Sequence, residues 1–426
     1  MYFYITLVRK QVKIMVYYEI KKVFSKTSNK IAVLILIFLL GIICNFAVHD
    51  VEYTNEEGNH ESGLLALHKL KEMKKEWEGE LTEEKLIQVI EENARINETP
   101  EAQSKDIQQQ NIAYSQKQGF DDIRMMFADF YSGFQEWDYW TIDYLKPEDV
   151  KNFYSNRVES LKEYLYSPEE DAVSHFLSEK EKAFLVKQYE KMETPLIYED
   201  FIGWDESEYN APMLIMFMCL ILGFLVAGIF SSETKLKADS IFFSAYHGRK
   251  KAVLAKLVAG LAIVTGLYWL VMLLYSAIVL GILGTSGADC MIQISLGGYK
   301  SFYNITFLQR HLLILFGGYI GTLFVILVTM LVSAKTKSAV LSVMVPFILL
   351  FIPAFLSGGD SHILNQILMV LPDQLMQINK PLKTFSLVEL GGRVTGVLNV
   401  LFPVYAALSV ILWPVVYQVY RRAEVK

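Results

Sequence analysis

Apolar positions in this chain gather into six long runs, and the stretch between the first two runs is polar with a helical beat. The runs cover residues 31–48, 212–230, 252–284, 312–334, 338–356 and 394–420. Crossing the hydrocarbon takes about 20 helical residues, and lipid offers the backbone no hydrogen-bond partners, so each run is expected to be a transmembrane helix. The third and sixth exceed the minimum length and are expected to tilt or to extend into water.

Between the first two spans, Gly63 to Glu78, Thr82 to Ile96, Pro147 to Leu165 and Ser178 to Lys191 are rich in Leu, Glu and Lys at helical spacing. Thr82 and Ser178 read as helix starts, and Ser178-Glu-Lys-Glu181 fits a capping box. The Gln/Asn-rich stretch from Thr99 to Gly119 reads as a loop or a weak helix. The fold class expected is therefore an all-α membrane protein with six transmembrane helices and a large helical extracytoplasmic domain, residues 49–211, inserted between the first and second spans. Residues 1–30 are basic, and Val16, Ile20, Val23 and Phe24 share one helix face, as in an amphipathic helix lying on the cytoplasmic leaflet. Met1 and Met15 are both candidate starts. The first span reads as an uncleaved anchor, since Cys44-Asn45-Phe46 is no small-residue cleavage site. Residues 357–393 are broken by Pro372-Asp373. They form either a pair of short helices, re-entrant from the outer surface, or an amphipathic loop.

Charge divides along the same lines. The formal net of −6 hides a stretch, residues 50–211, with 38 acids against 17 bases, and a remainder with 8 acids against 23 bases. In the short segments flanking the spans, eighteen bases lie on the side of the N-terminus against five on the other. The positive-inside rule then puts both termini and the 421–426 tail in the cytoplasm of a bacterial cell, with the spans in its plasma membrane. Three cysteines, Cys44, Cys219 and Cys290, offer neither a disulfide framework nor metal-type spacing.

Several function classes lose support. The span interiors hold no Asp, Glu, Lys, Arg or His, which ion-driven carriers need. No phosphate-binding loop, zinc-protease pair or nucleophile elbow occurs, so neither catalysis nor a cofactor in this chain is expected. Nothing points to nucleic acid.

The connection after the second span, residues 231–251, carries the functional signal: Glu233, the stretch Leu236 to Ala245, Gly248-Arg249-Lys250, then Lys256 in the third span. This pattern resembles the cytoplasmic connection of type-2 ABC exporter permeases, and the layout around it is similar throughout: a basic amphipathic helix, six spans, and a broken outer segment before the sixth. Two departures are Lys237-Ala238, where many members have Gly-Thr, and the size of the outer domain. The resemblance implies a coupling helix that docks on a separate ABC ATPase subunit, a homodimer or a heterodimer with a related permease, and an amphipathic, peptide, lipid-like or drug-like cargo. The implied interface is Glu233, Leu236, Lys237, Ile241, Phe242, Phe243, Tyr246, Arg249 and Lys250. Physically, Ile241, Phe242, Phe243 and Tyr246 supply the apolar anchor of a helix-in-groove contact; the bland alternative is a solvated loop whose bases only enforce topology.

The aromatic run from Phe120 to Tyr144 reads either as domain core or as a ligand surface. A second functional class, a membrane-anchored sensor or scaffold whose outer domain binds a peptide or cell-wall component, also fits the layout.

Overall fold

The computed structural model describes residues 2–134, 137–167, 176–238, 241, 244, 248–356 and 362–422. In chain order the elements are α1 (Tyr2–Ser25), α2 (Thr27–His49), β1 (Glu52–Thr54), β2 (His60–Ser62), α3 (Leu64–Lys75), β3 (Gly79–Glu80), α4 (Glu83–Asn97), α5 (Ile107–Ser115) and α6 (Asp121–Tyr131). They continue as α7 (Phe153–Leu165), α8 (Glu179–Tyr189), β4 (Ile197–Tyr198), α9 (Ile202–Ala227), α10 (Ser232–Lys235), α11 (Val253–Leu283) and α12 (Phe307–Thr336). The last are α13 (Ala339–Leu356), α14 (His362–Met369), α15 (Asn379–Lys383), the pair β5 (Leu387–Leu390) and β6 (Arg393–Gly396), and α16 (Leu398–Arg421).

Among the described residues six helices, α2, α9, α11, α12, α13 and α16, are long and apolar enough to cross a membrane. The chain is thus an α-helical, multi-pass membrane protein. Helices α9 and α12 form the centre of the bundle: α9 packs on α2, α11, α12 and α13, and α12 packs on α9, α13 and α16. Small residues let the central backbones approach: a Cβ on Gly318 of α12 would lie 2.5 Å from the Tyr268 hydroxyl and 2.6 Å from Ile215 of α9. The peripheral α13 and α16 keep outward faces such as Val340, Phe347, Val410 and Ile411 exposed, as lipid-facing helices do.

Helix α9 starts ten residues before the expected edge of the second span, so Pro212 lies inside it. A proline cannot donate to the carbonyl four residues back. The Asn379 side-chain amide takes over that duty, donating to the Glu208 carbonyl at 2.8 Å. The broken segment before α16 is thereby stitched to the second span.

The 49–211 stretch folds as helices, with α4, α7 and α8 within a few residues of the expected positions; the weak-helix reading of 99–119 corresponds to α5. Ser178 and Glu181 form the expected capping box. Of the aromatic run, Phe120 and Phe127 are core, whereas Trp137, Trp140 and Tyr144 are exposed. The domain is larger than the sequence pattern indicates. Cys290, Ile292, Ile294 and Tyr299, from the connection between α11 and α12, lie in the same buried cluster as Leu86, Val89, Phe127 and Phe153. Arg157 of α7 locks this connection down, donating to the carbonyls of Tyr299 at 2.9 Å and Ser301 at 2.8 Å while its guanidinium lies 3.7 Å from the Tyr189 ring centre. Residues 357–393 contain two short helices, α14 and α15, and are followed into the β5–β6 hairpin, whose two-residue turn is Gly391-Gly392 with φ 56° and 79°. Two glycines of positive φ are what a tight, right-twisted hairpin demands.

Replacing Arg157 by Met roughly keeps the volume but removes the donor to the buried Tyr299 carbonyl and leaves the Ser301 carbonyl only Gln293 at 3.4 Å, a cost of about 2 kcal/mol. We expect Arg157→Met to lower the thermal midpoint of the detergent-solubilised protein by several degrees and to open residues 285–306 to limited proteolysis; an unchanged cleavage pattern would refute the lock.

Candidate functional site

At the bundle face that carries both termini, α9 ends at Ala227, and the Ser333 hydroxyl of α12 donates to the Ala227 carbonyl at 2.6 Å. The chain turns through Phe230, whose ring packs 4.7 Å from that of Tyr420 on α16. It then forms the single turn α10, which buries Glu233. Lys256, in the first turn of α11, is fully buried and points its ammonium back at this turn. Its acceptors are Glu233 Oε1 at 2.7 Å, Glu19 Oε2 of α1 at 3.1 Å and the Ile229 carbonyl at 3.1 Å, which match the three donors of an ammonium. Lys22 of α1 donates to the same Glu233 oxygen at 2.5 Å. The other oxygen accepts from Ser232 at 3.1 Å and Tyr420 at 3.5 Å.

Two acids and two bases thus form a neutral quartet that joins α1, α10, α11 and α16. Burial alone would raise the Glu233 carboxyl, but Lys256 and Lys22 outweigh it and hold the group below the usual carboxylate range. Helix α1 is docked as well as charged: Val23 is buried and Val16, Ile20 and Phe24 pack against the bundle, so the expected apolar face is filled by protein. The Asn29 amide donates to the Val23 carbonyl at 2.8 Å, fixing the angle between α1 and α2.

Beyond the quartet the connection turns outward. Lys237 takes the left-handed conformation, φ 54°, and the Ala238 N–H returns to the Glu233 carbonyl at 2.9 Å, which stops α10 after one turn. Leu236 and Ile241 are 72% and 73% exposed, and Lys237 and Lys250 are exposed too. Phe242, Phe243 and Tyr246 lie outside the described residues. Arg249 falls in a π-helical turn, Gly248–Ala252, that leads into α11. Lys251 from that turn donates to Gln11 of α1 at 2.8 Å. Of the residues singled out by sequence, Glu233 and Lys256 join the buried quartet; Leu236, Lys237, Ile241 and Lys250 lie on the exposed side. Sequence reasoning missed Glu19, Lys22 and Tyr420 as partners. A signal was present: Lys256 stands alone in an apolar helix and needs a counter-ion, and Glu19 is the one acid in residues 1–49.

A second clamp closes the opposite end of the bundle. Arg310, in the first turn of α12, bonds Glu208 through Nε, Asp205 through Nη2 at 2.9 Å and the Ser295 hydroxyl through Nη1 at 3.5 Å. Nearby, Tyr275 of α11 donates to the Ser207 carbonyl at 2.8 Å, and His311 meets Ser276 at 2.9 Å. Among the described residues no three His, Cys, Asp or Glu side chains are grouped to hold a metal ion. A scan against protein-family models finds no match for the chain, and a search of curated proteins finds none either.

Glu233→Gln removes one charge and leaves the Lys256 ammonium buried with Glu19 alone, a loss of about 3 kcal/mol at neutral pH. The pH dependence has a definite sign. A carboxyl more acidic in the folded chain than in the unfolded one stabilises above its unfolded pKa, and that contribution is lost as pH falls through the folded value. Thermal melts should therefore show a gap of several degrees between wild type and Glu233→Gln at pH 7 that narrows on acidification below about pH 4. A gap that is absent at pH 7 or grows with acid would contradict the assignment.

Proposed function

We propose that the chain is the membrane-spanning permease subunit of an ABC exporter. In this reading both termini and the 231–251 connection face the cytoplasm and the 49–211 domain lies outside the plasma membrane. ATP is hydrolysed by a separate ATPase subunit that docks on the connection, and the permease pairs with a second copy or a related permease. The cargo is amphipathic, peptide, lipid-like or drug-like, in keeping with a bundle whose ionisable side chains stay near the helix ends.

The observation that carries the proposal is the junction of a rigid base with an exposed apolar tip. Glu233 is held by Ser232 of its own turn and by three neighbours on three other elements, and three residues further on Leu236 projects into solvent, with Ile241 beyond it. Exposed apolar side chains on a short cytosolic connection suit a groove on a partner. A base clamped to α1, α11 and α16 passes a push at the tip on to those helices. A sensor or scaffold would need no such lever.

Co-purification with a co-expressed lone ABC ATPase from the same genome tests the reading. Leu236→Asp with Ile241→Asp, and separately Phe242→Asp with Phe243→Asp, should release the ATPase at least tenfold while membrane insertion and the thermal midpoint stay unchanged. Full retention by both double variants would overturn the docking assignment.

A further inference from the structure

At the opposite end of the bundle from the quartet, a cavity of about 470 Å³ lies between the 49–211 domain and the broken segment before α16. Its size falls in the range of small-molecule sites, roughly 300–1,000 Å³. Phe134, Tyr164 and Phe385 form an aromatic wall, with ring centres 4.7 Å, 5.8 Å and 6.2 Å apart. Leu368 and Met369 of α14 add an aliphatic side. Phe385 lies more than 200 positions along the chain from Phe134 and Tyr164, so the wall forms only in the folded protein.

The polar lining has the opposite sign to the domain around it. Among the described residues, Lys300, Lys380 and Lys383 line the cavity against a single acid, Glu181. Acids outnumber bases more than two to one in residues 50–211, so this concentration of ammonium groups is a local reversal. Lys383 donates to the Leu296 carbonyl at 3.0 Å, and Lys300 donates to the Gly133 carbonyl and lies 3.7 Å from Asp129. An ammonium has three donors, so both retain capacity for an anion. Partial burial lowers the pKa of Lys300.

The position of α14 indicates where an occupant comes from. Ile363 and Ile367, one turn apart, are 71% and 53% exposed on one face, while Asn365, Gln366, Leu368 and Met369 line the cavity from the other side. Phe355 and Leu356, at the end of the membrane helix α13, are exposed as well. Exposed apolar side chains on both helices suit a position beside lipid, which would put the cavity at the membrane boundary.

We propose that the cavity binds a single-chain anionic lipid, its carboxylate or phosphate head among Lys300, Lys380 and Lys383 and its acyl chain along Phe134, Tyr164, Phe385 and Met369. Charge complementarity selects the head, and the apolar wall beside a lipid-facing helix selects the chain. The proposal stands apart from the ATPase reading, because binding is measured on this chain alone.

Full-length protein in a neutral maltoside detergent is titrated with dansyl-labelled undecanoic acid, followed by probe fluorescence, with the methyl ester of the same probe as the uncharged control. Wild type should bind the acid at least tenfold more tightly than the ester, and palmitate should displace it where butyrate does not. Lys380→Ala with Lys383→Ala should weaken the acid at least tenfold and leave the ester unaffected, and Met369→Trp should weaken both by filling the chain region. Both lysines are exposed, so the double variant is expected to melt with wild type; Lys380→Glu alone reads the same point if it does not. Equal binding of acid and ester, or undiminished acid binding by a folded lysine variant, would overturn the proposal. Displacement by butyrate as effective as by palmitate would overturn the lipid assignment.

Discussion

Everything in this molecule is arranged around the expense of placing a charge in hydrocarbon. A lone ammonium or carboxylate in a membrane helix is costly enough to be found only where partners surround it. Here the buried ion pairs of the bundle collect at its two ends, Lys256 and Glu233 at one and Arg310 and Glu208 at the other. Between them, contacts are mainly aliphatic and aromatic, with close backbone approach at glycines such as Gly318 and a few neutral hydrogen bonds such as Tyr268 to the Leu315 carbonyl at 2.8 Å. The two ends therefore act as charged clamps that fix register, while the middle is held by neutral packing and neutral hydrogen bonds.

The clamps differ in what they hold. The quartet around Glu233 brings together α1, the connection after α9, the start of α11 and the end of α16, so four parts of the chain distant in sequence move together or not at all. Around Arg310, the second span is tied to the fourth, with Asn379 adding the segment before the sixth. The domain is not a separate appendage on this side: its core includes the connection between α11 and α12, and Lys180 of α8 pairs with Glu389 of the hairpin at 2.7 Å. Under the proposed permease function, a push on the 231–251 connection would reach the domain through the bundle and not through a flexible tether.

Much of the architecture was legible in the sequence, because membrane spans impose long apolar runs and the domain helices carry strong periodicity and caps such as Ser178. The basic face of residues 1–30 was legible as an amphipathic helix, but not that its apolar stripe packs on protein, since lipid and a helix bundle ask the same of Val16, Ile20 and Val23. Helix α9 begins ten residues before the expected edge of the second span: Asp205, Glu206 and Glu208 gave no apolar signal there, and Arg310, far along the chain, is what pairs the buried Glu208 and the half-exposed Asp205. The hairpin after residue 386 went unread although Gly391-Gly392 marks it. Of the candidate site, Glu233 and Lys256 were conspicuous as charges beside apolar runs, whereas Glu19, Lys22 and Tyr420 depend on tertiary approach that spacing does not encode.

The central claim is that the quartet makes α1, residues 228–236 and the first turns of α11 one mechanical unit. Amide hydrogen exchange by mass spectrometry on wild type and Glu233→Gln in the same nanodiscs addresses it directly. The account predicts that the substitution raises exchange in those three segments together while α4, α6 and α7 keep their protection. Loss of protection confined to residues 232–236, with α1 and α11 unchanged, would contradict it.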